Sequence, residues 1–128
     1  MKLALGTAQI GLDYGVSNNS GQVSLEEAEQ LLAQAEHFNI GILDTAAVYG
    51  NSEATLGQLA NSNFRIITKL AIDTHSPVNI GPLFEESLRK LQRKSIYGVL
   101  LHDAEVLNSN YYHHIASQIN TLKVSGLV

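Results

Sequence analysis

The stretch Gly41–Glu53 reads GILDTAAVYGNSE. A short apolar run ends on a carboxylate, Asp44. Tyr49 follows in a small-residue loop, and Gly50 and Ser52 then offer a turn and the start of a helix. A strand that delivers a charged side chain at its end, then a loop, then a helix, is the joint of a parallel α/β fold. The edge of such a sheet, at the C-terminal ends of its strands, is where ligands bind and chemistry occurs.

The same joint recurs along the chain. Strand candidates lie at Lys2–Thr7, Ile40–Asp44, Arg65–Leu70 and Ile96–His102, all short and rich in Ile, Leu or Val. None alternates strictly, which points to burial on both faces, as in parallel sheets. Helical patterns follow each strand. Ser24 and Glu27 form a capping box ahead of a stripe of Leu25, Ala28, Leu31, Leu32 and Ala35. Ser52 is read as the cap of a second helix carrying Leu56 and Leu59. Pro82 is read as the opening of a third, with Leu83, Phe84, Ser87, Leu88 and Leu91 inward. Asn108 or Asn110 begins a fourth, with Ile115, Ile119 and Leu122 as its stripe and Gly126 as its stop. The order β-α-β-α-β-α-β-α predicts a parallel sheet with right-handed crossovers, in one domain over residues 1–128.

Composition narrows the function. The chain has 128 residues, 45% apolar and 16% charged, a globular balance. It has no cysteine, which excludes disulfides, thiolate metal sites and a cysteine nucleophile, and suits a cytoplasmic location. The net charge of −4 argues against nucleic-acid or anionic-membrane partners. No apolar run is long enough to span a bilayer. His113 and His114 are neighbours on a predicted helix and point apart, and His37 and His75 have no partner at metal spacing, so no metal site is predicted. Arg89, Lys90, Arg93 and Lys94 are read as cations complementing a helix C-terminus. Tyr14 and Gly15, after the first strand, are candidates for a substrate wall or a packed loop.

Three titratable residues lie at or near the ends of apolar strands: Asp44 and His102 end theirs, and Lys69 is near the end of its own. Tyr49 lies in the loop beside the first of them. An ammonium stabilises the ionised form of a nearby phenol, a carboxylate keeps that ammonium charged and in place, and a histidine can donate a hydrogen bond to a carbonyl oxygen. Together they make a general acid for reducing a carbonyl. No side chain supplies a hydride, so a nicotinamide cofactor is implied.

LGTAQIGLDYG at 5–15, LDTAAVYGNSE at 43–53, ITK at 67–69 and LLHD at 100–103, in that order, resemble the aldo-keto reductases over essentially the whole chain. The resemblance implies catalytic roles for Asp44, Tyr49, Lys69 and His102. Tyr49 would protonate the carbonyl oxygen, Lys69 paired with Asp44 would ease ionisation of the phenol, and His102 would orient the substrate. It implies that Gly6 and Thr7, with Asp44, approach the nicotinamide end of NADP(H). The implied reaction is hydride transfer from that cofactor to an aldehyde or ketone, on a TIM-type (β/α)8 barrel.

Such a barrel typically needs about 250 residues, so the expected fold here is α/β, a parallel (β/α)4 half barrel. The C-terminal strands, which supply most of the cofactor grip in the family, are expected to be missing. Four strands leave two edges unpaired. Leu5, Leu43, Ile67 and Leu100 belong to strands that would expose the barrel interior, and wetting such side chains forgoes about 1.5–3 kcal/mol each. A homodimer that closes a two-fold barrel is the expected remedy. The alternative to an enzyme is a non-catalytic truncated half barrel acting as an interaction or assembly module.

Overall fold

The computed structural model describes residues 3–73, 75 and 78–128. Four parallel strands form one sheet in sequence order: β1 (Leu5–Gly6), β2 (Ile42–Asp44), β3 (Arg65–Leu70) and β4 (Gly98–Leu101). Between and after them run α1 (Ala8–Gly11), α2 (Leu25–His37), α3 (Ser52–Leu59), α4 (Ile80–Leu91), a 3₁₀ turn (Ala104–Asn108) and α5 (Tyr112–Val124). This is the parallel α/β sheet anticipated from the pattern, in the half-barrel form that the resemblance implies. Register pairs Gly6 with Asp44, Asp44 with Ile67, and Lys69 with Leu100, so the strand ends form a stepped rim.

The sheet has one covered face and one open face. In β3, Ile66, Thr68 and Leu70 are buried, while Arg65, Ile67 and Lys69 keep solvent exposure, as the two-residue period of a strand requires. The covered side joins a core with Leu32, Leu56, Phe84, Leu91 and Ile115 from the helices. Leu43 belongs to that core and is fully buried. It therefore faces the helices, not the barrel interior. Ile67 is half-buried and Leu100 is 47% exposed; both lie on the open face.

The strands are shorter than their apolar runs because neighbouring elements claim backbone groups. Asn39, at φ 58°, ends α2 in the left-handed conformation, and the Ile40 N–H closes that helix on the Ala35 carbonyl. The Ile96 N–H is taken by the Leu127 carbonyl. Lys2 lies outside the described residues.

The helix starts also differ from their predicted positions. The Ser24–Glu27 capping box forms at α2 as anticipated. At α3 the cap position is Asn51, without a side-chain bond, and Ser52 is the first helical residue with its hydroxyl buried. Asn79 caps α4 by accepting the Gly81 N–H, so the helix opens at Ile80, ahead of Pro82. Neither Asn108 nor Asn110 caps α5, which begins after Tyr111. Leu25, Leu31 and Leu83 stand 50%, 41% and 41% exposed. They lie at the exposed margins of their stripes. Of the basic group, Arg93 reaches back to the Ala60 and Asn61 carbonyls at the end of α3, and Arg89 pairs with Glu86 on the surface.

Candidate active site

The β2–β3 ladder does not stop where the strands do. The Thr45 N–H donates to the Ile67 carbonyl and the Ala47 N–H to the Lys69 carbonyl. The chain then turns: the Tyr49 N–H donates to the Ala46 carbonyl, and the Ser52 N–H to the Tyr49 carbonyl. Gly50, at φ 54°, adopts a conformation that suits glycine. This turn lifts Tyr49 above the rim and hands the chain to α3.

Asp44 and Lys69 both project from the open face and form an ion pair. The Lys69 ammonium also donates to the Thr45 carbonyl at 3.2 Å. It lies 5.3 Å from the centre of the Tyr49 ring, within range of attraction between a cation and an aromatic face. His102 follows β4, and its N–H continues the ladder to the Leu70 carbonyl. Its ring stands edge-on to Tyr49, with centroids 6.1 Å apart and planes at 79°. The ion pair is partly exposed, at 19% for Lys69 and 32% for Asp44, so it is open to a ligand. Asp44, Tyr49, Lys69 and His102, drawn from three strand ends and one loop, thus converge on one patch of the C-terminal rim.

Beside them lies a depression of about 350 Å³, lined by Gly6, Thr7, Ala8, Gln9, Tyr14, Gly15, Asp44 and Tyr49. A Cβ placed on Gly6 would meet nothing within 4 Å, so open space lies over the end of β1 next to Asp44. Thr7 is different. Its side chain is 1% exposed, and its hydroxyl donates to the Asp44 carbonyl at 3.0 Å. Tyr14 and Gly15 border the depression in a loop held by the Asn18 side-chain amide, which donates to Asp13, to the Tyr14 carbonyl and to the Gly21 carbonyl. Among the described residues, no group of three or more His, Cys, Asp or Glu is arranged to hold a metal ion. No helix among them is long and apolar enough to cross a membrane.

The family model for the aldo/keto reductase family matches residues 2–128. The chain belongs to the aldo-keto reductase family. Among solved structures, a protein of Pseudomonas aeruginosa assigned to the aldo-keto reductases is 33% identical, with a TM-score of 0.71 over 97% of this chain and 51% of its own. A Bombyx mori aldo-keto reductase in complex with NADP is 29% identical, with a TM-score of 0.58 over 77% of this chain and 33% of its own. The aldo-keto reductase of Bacillus halodurans, in its holo form, shares the fold at a TM-score of 0.76 and 19% identity, over 98% of this chain and 43% of its own. No curated protein matches the chain. The chain spans about half the length, or less, of these aldo-keto reductases, and its sheet corresponds to the N-terminal half of their barrel.

Sequence reading missed three residues that shape the candidate site of this aldo-keto reductase family member. Ser52 was assigned to a cap, yet its hydroxyl donates to the Thr7 carbonyl at 3.0 Å and lies 3.1 Å from the Thr45 hydroxyl. Glu53, 2% exposed, accepts from the Thr68 hydroxyl at 2.7 Å. Gly11 packs against the Tyr49 turn. The only available signal was that Ser52 and Glu53 complete the family-like segment.

Proposed function

We propose that the chain carries the carbonyl-reducing centre of an NADP(H)-dependent aldo-keto reductase, acting on an aldehyde or ketone. The observation that carries this reading is the convergence of the Asp44–Lys69 ion pair, the Tyr49 phenol and the His102 imidazole on one rim. Tyr49 is the proton donor to the carbonyl oxygen. Lys69, kept charged and in place by Asp44, stabilises the phenolate that proton transfer leaves behind. His102 donates a hydrogen bond that fixes the carbonyl oxygen near Tyr49. The cofactor, when bound, supplies the hydride that enters at the carbonyl carbon.

The residues present suit the nicotinamide end of that cofactor. The missing Cβ of Gly6 leaves room for a flat ring, and Asp44 and Tyr49 border the same space. Among the described residues, no Lys or Arg lines the depression, so these residues offer no grip for the cofactor's phosphates. That observation favours a second reading for the 128-residue chain alone, an assembly module without turnover.

The two readings separate on titration of NADPH fluorescence with the purified chain. Saturable binding that is lost in Lys69→Ala supports the reductase; a flat titration supports the module.

The half barrel also has a physical reason to associate. Among the described residues, β1 and β4 each pair on one side only, and the open face carries Ile67 and Leu100. Two copies placing β4 of one beside β1 of the other would pair all four edges and bury that face. We assign the chain, taken by itself, to a cytoplasmic homodimer.

A further inference from the structure

Glu53 has no role in the chemistry above, yet it is buried at 2% exposure beneath the site. One of its oxygens accepts from Thr68 at 2.7 Å; the other is buried and has no hydrogen-bond partner among the described residues. A half-satisfied buried carboxyl works against stability, so the side chain is poorly explained as a packing element. Its position explains it better. Glu53 lies in the first turn of α3, four residues after Tyr49. Thr68 immediately precedes Lys69 in β3. Successive strand residues point to opposite faces, so Thr68 faces the helices while Lys69 faces the rim. The Glu53–Thr68 bond therefore ties, from behind the sheet, the segment that carries the phenol to the segment that carries the ammonium.

The neighbouring Ser52 ties the same segment to β1 and β2 through Thr7 and Thr45. Downstream of the Ala47–Lys69 backbone bond, the Glu53 carboxyl is the described hydrogen-bond tie between the Tyr49 turn and β3. We infer that Glu53 is a positioning residue, which acts through Thr68 to hold the Tyr49 phenol in register with Lys69. The inference rests on the reading of Tyr49 and Lys69 as the reducing pair, but its test does not need turnover.

The test uses the 128-residue chain with ¹³C-labelled tyrosine rings, the Tyr49 signal being identified by its loss in Tyr49→Phe. Lys69→Met should shift that signal, and the size of the shift measures contact between the two side chains. In a Thr68→Val background, which removes the donor at nearly constant volume, the response to Lys69→Met should fall several-fold. In Thr68→Ser, which keeps the hydroxyl, it should be retained, and Glu53→Gln, which keeps an acceptor, should behave like Thr68→Ser. An undiminished response in Thr68→Val, with only a lower melting temperature, overturns the inference. So does unfolding of Thr68→Val, since the bond would then be holding the fold. A chain that reduces no carbonyl in any variant counts against the reductase reading alone, because the Tyr49 signal still reports the coupling.

Discussion

Gly11 and Gly50 meet backbone to backbone. A Cβ on Gly11 would stand 1.7 Å from the Tyr49 carbonyl oxygen, and one on Gly50 would stand 2.2 Å from the Gly11 carbonyl oxygen. The end of α1 thus forms a seat for the turn that carries Tyr49. Gly11→Ala must push that turn away, and forcing a methyl into a packed contact costs about 1–3 kcal/mol. Urea unfolding should show a lower midpoint at unchanged slope, and the Tyr49 ring signal should move. An unchanged midpoint would show that the seat yields freely.

Gly57 gives a second contact of this kind, between α3 and α4. A Cβ there would lie 2.1 Å from the Lys90 carbonyl oxygen, and Gly57→Ala should destabilise by about 1–3 kcal/mol. Gly41 is the control. A Cβ there meets nothing within 4 Å, and no left-handed backbone is required. Gly41→Ala should be neutral or stabilise by about 0.4–1 kcal/mol, by restricting the unfolded chain.

Tyr49→Phe removes the proposed proton donor and keeps the ring that packs on Lys69 and His102. If NADPH binds and a carbonyl compound is turned over, kcat should fall about 10²–10⁴-fold with little change in cofactor affinity. Retained turnover would transfer the proton-donor role to another group.

The capping box makes α2 sensitive to acid. The Ser24 N–H, and then its hydroxyl, donate to the Glu27 carboxylate and hold its pKa below the ordinary value. The unfolded chain therefore binds this proton more readily than the folded one. The contribution is complete above the unfolded value and is lost as pH falls through the lower, folded one. Glu27→Gln should lower stability in the neutral range, leave the acid end nearly unchanged and so flatten the acid side of the stability curve, as followed by thermal melts from neutral to acid pH.

Closure by a second copy predicts a mass in light scattering of about twice 13.9 kDa. Leu100→Glu places a charge on the face that closure would bury and should return the chain to one copy. A native chain that runs as a compact monomer of 13.9 kDa would rule out the closed pair.

The sheet was legible because its signals are local. The apolar run of β3 ends on the residues anticipated for it, and the parallel order follows from strand and helix patterns that alternate along the chain. The α2 cap was legible for the same reason, since its two partners are three residues apart. What failed was the assignment of faces and shared groups. Leu43 looked like a barrel-interior residue until register with Ile66 placed it among the helices. Ser52 looked like a cap, but its partner Thr7 is 45 residues away.

The sequence by itself determined which chemistry the chain can bring: a carboxylate, an ammonium and an imidazole at strand ends, with a phenol in the loop between. Residue type and spacing are written locally; short-range hydrogen bonding makes the helices, and apolar runs mark the strands before they pair with distant partners. Only the tertiary structure decided that Tyr49 stands over Lys69 and beside His102, because that depends on contacts the linear order does not contain. These are the glycine seat on α1 and the buried bonds of Ser52 and Glu53, which form only once four strands lie in register and one face of the sheet is covered.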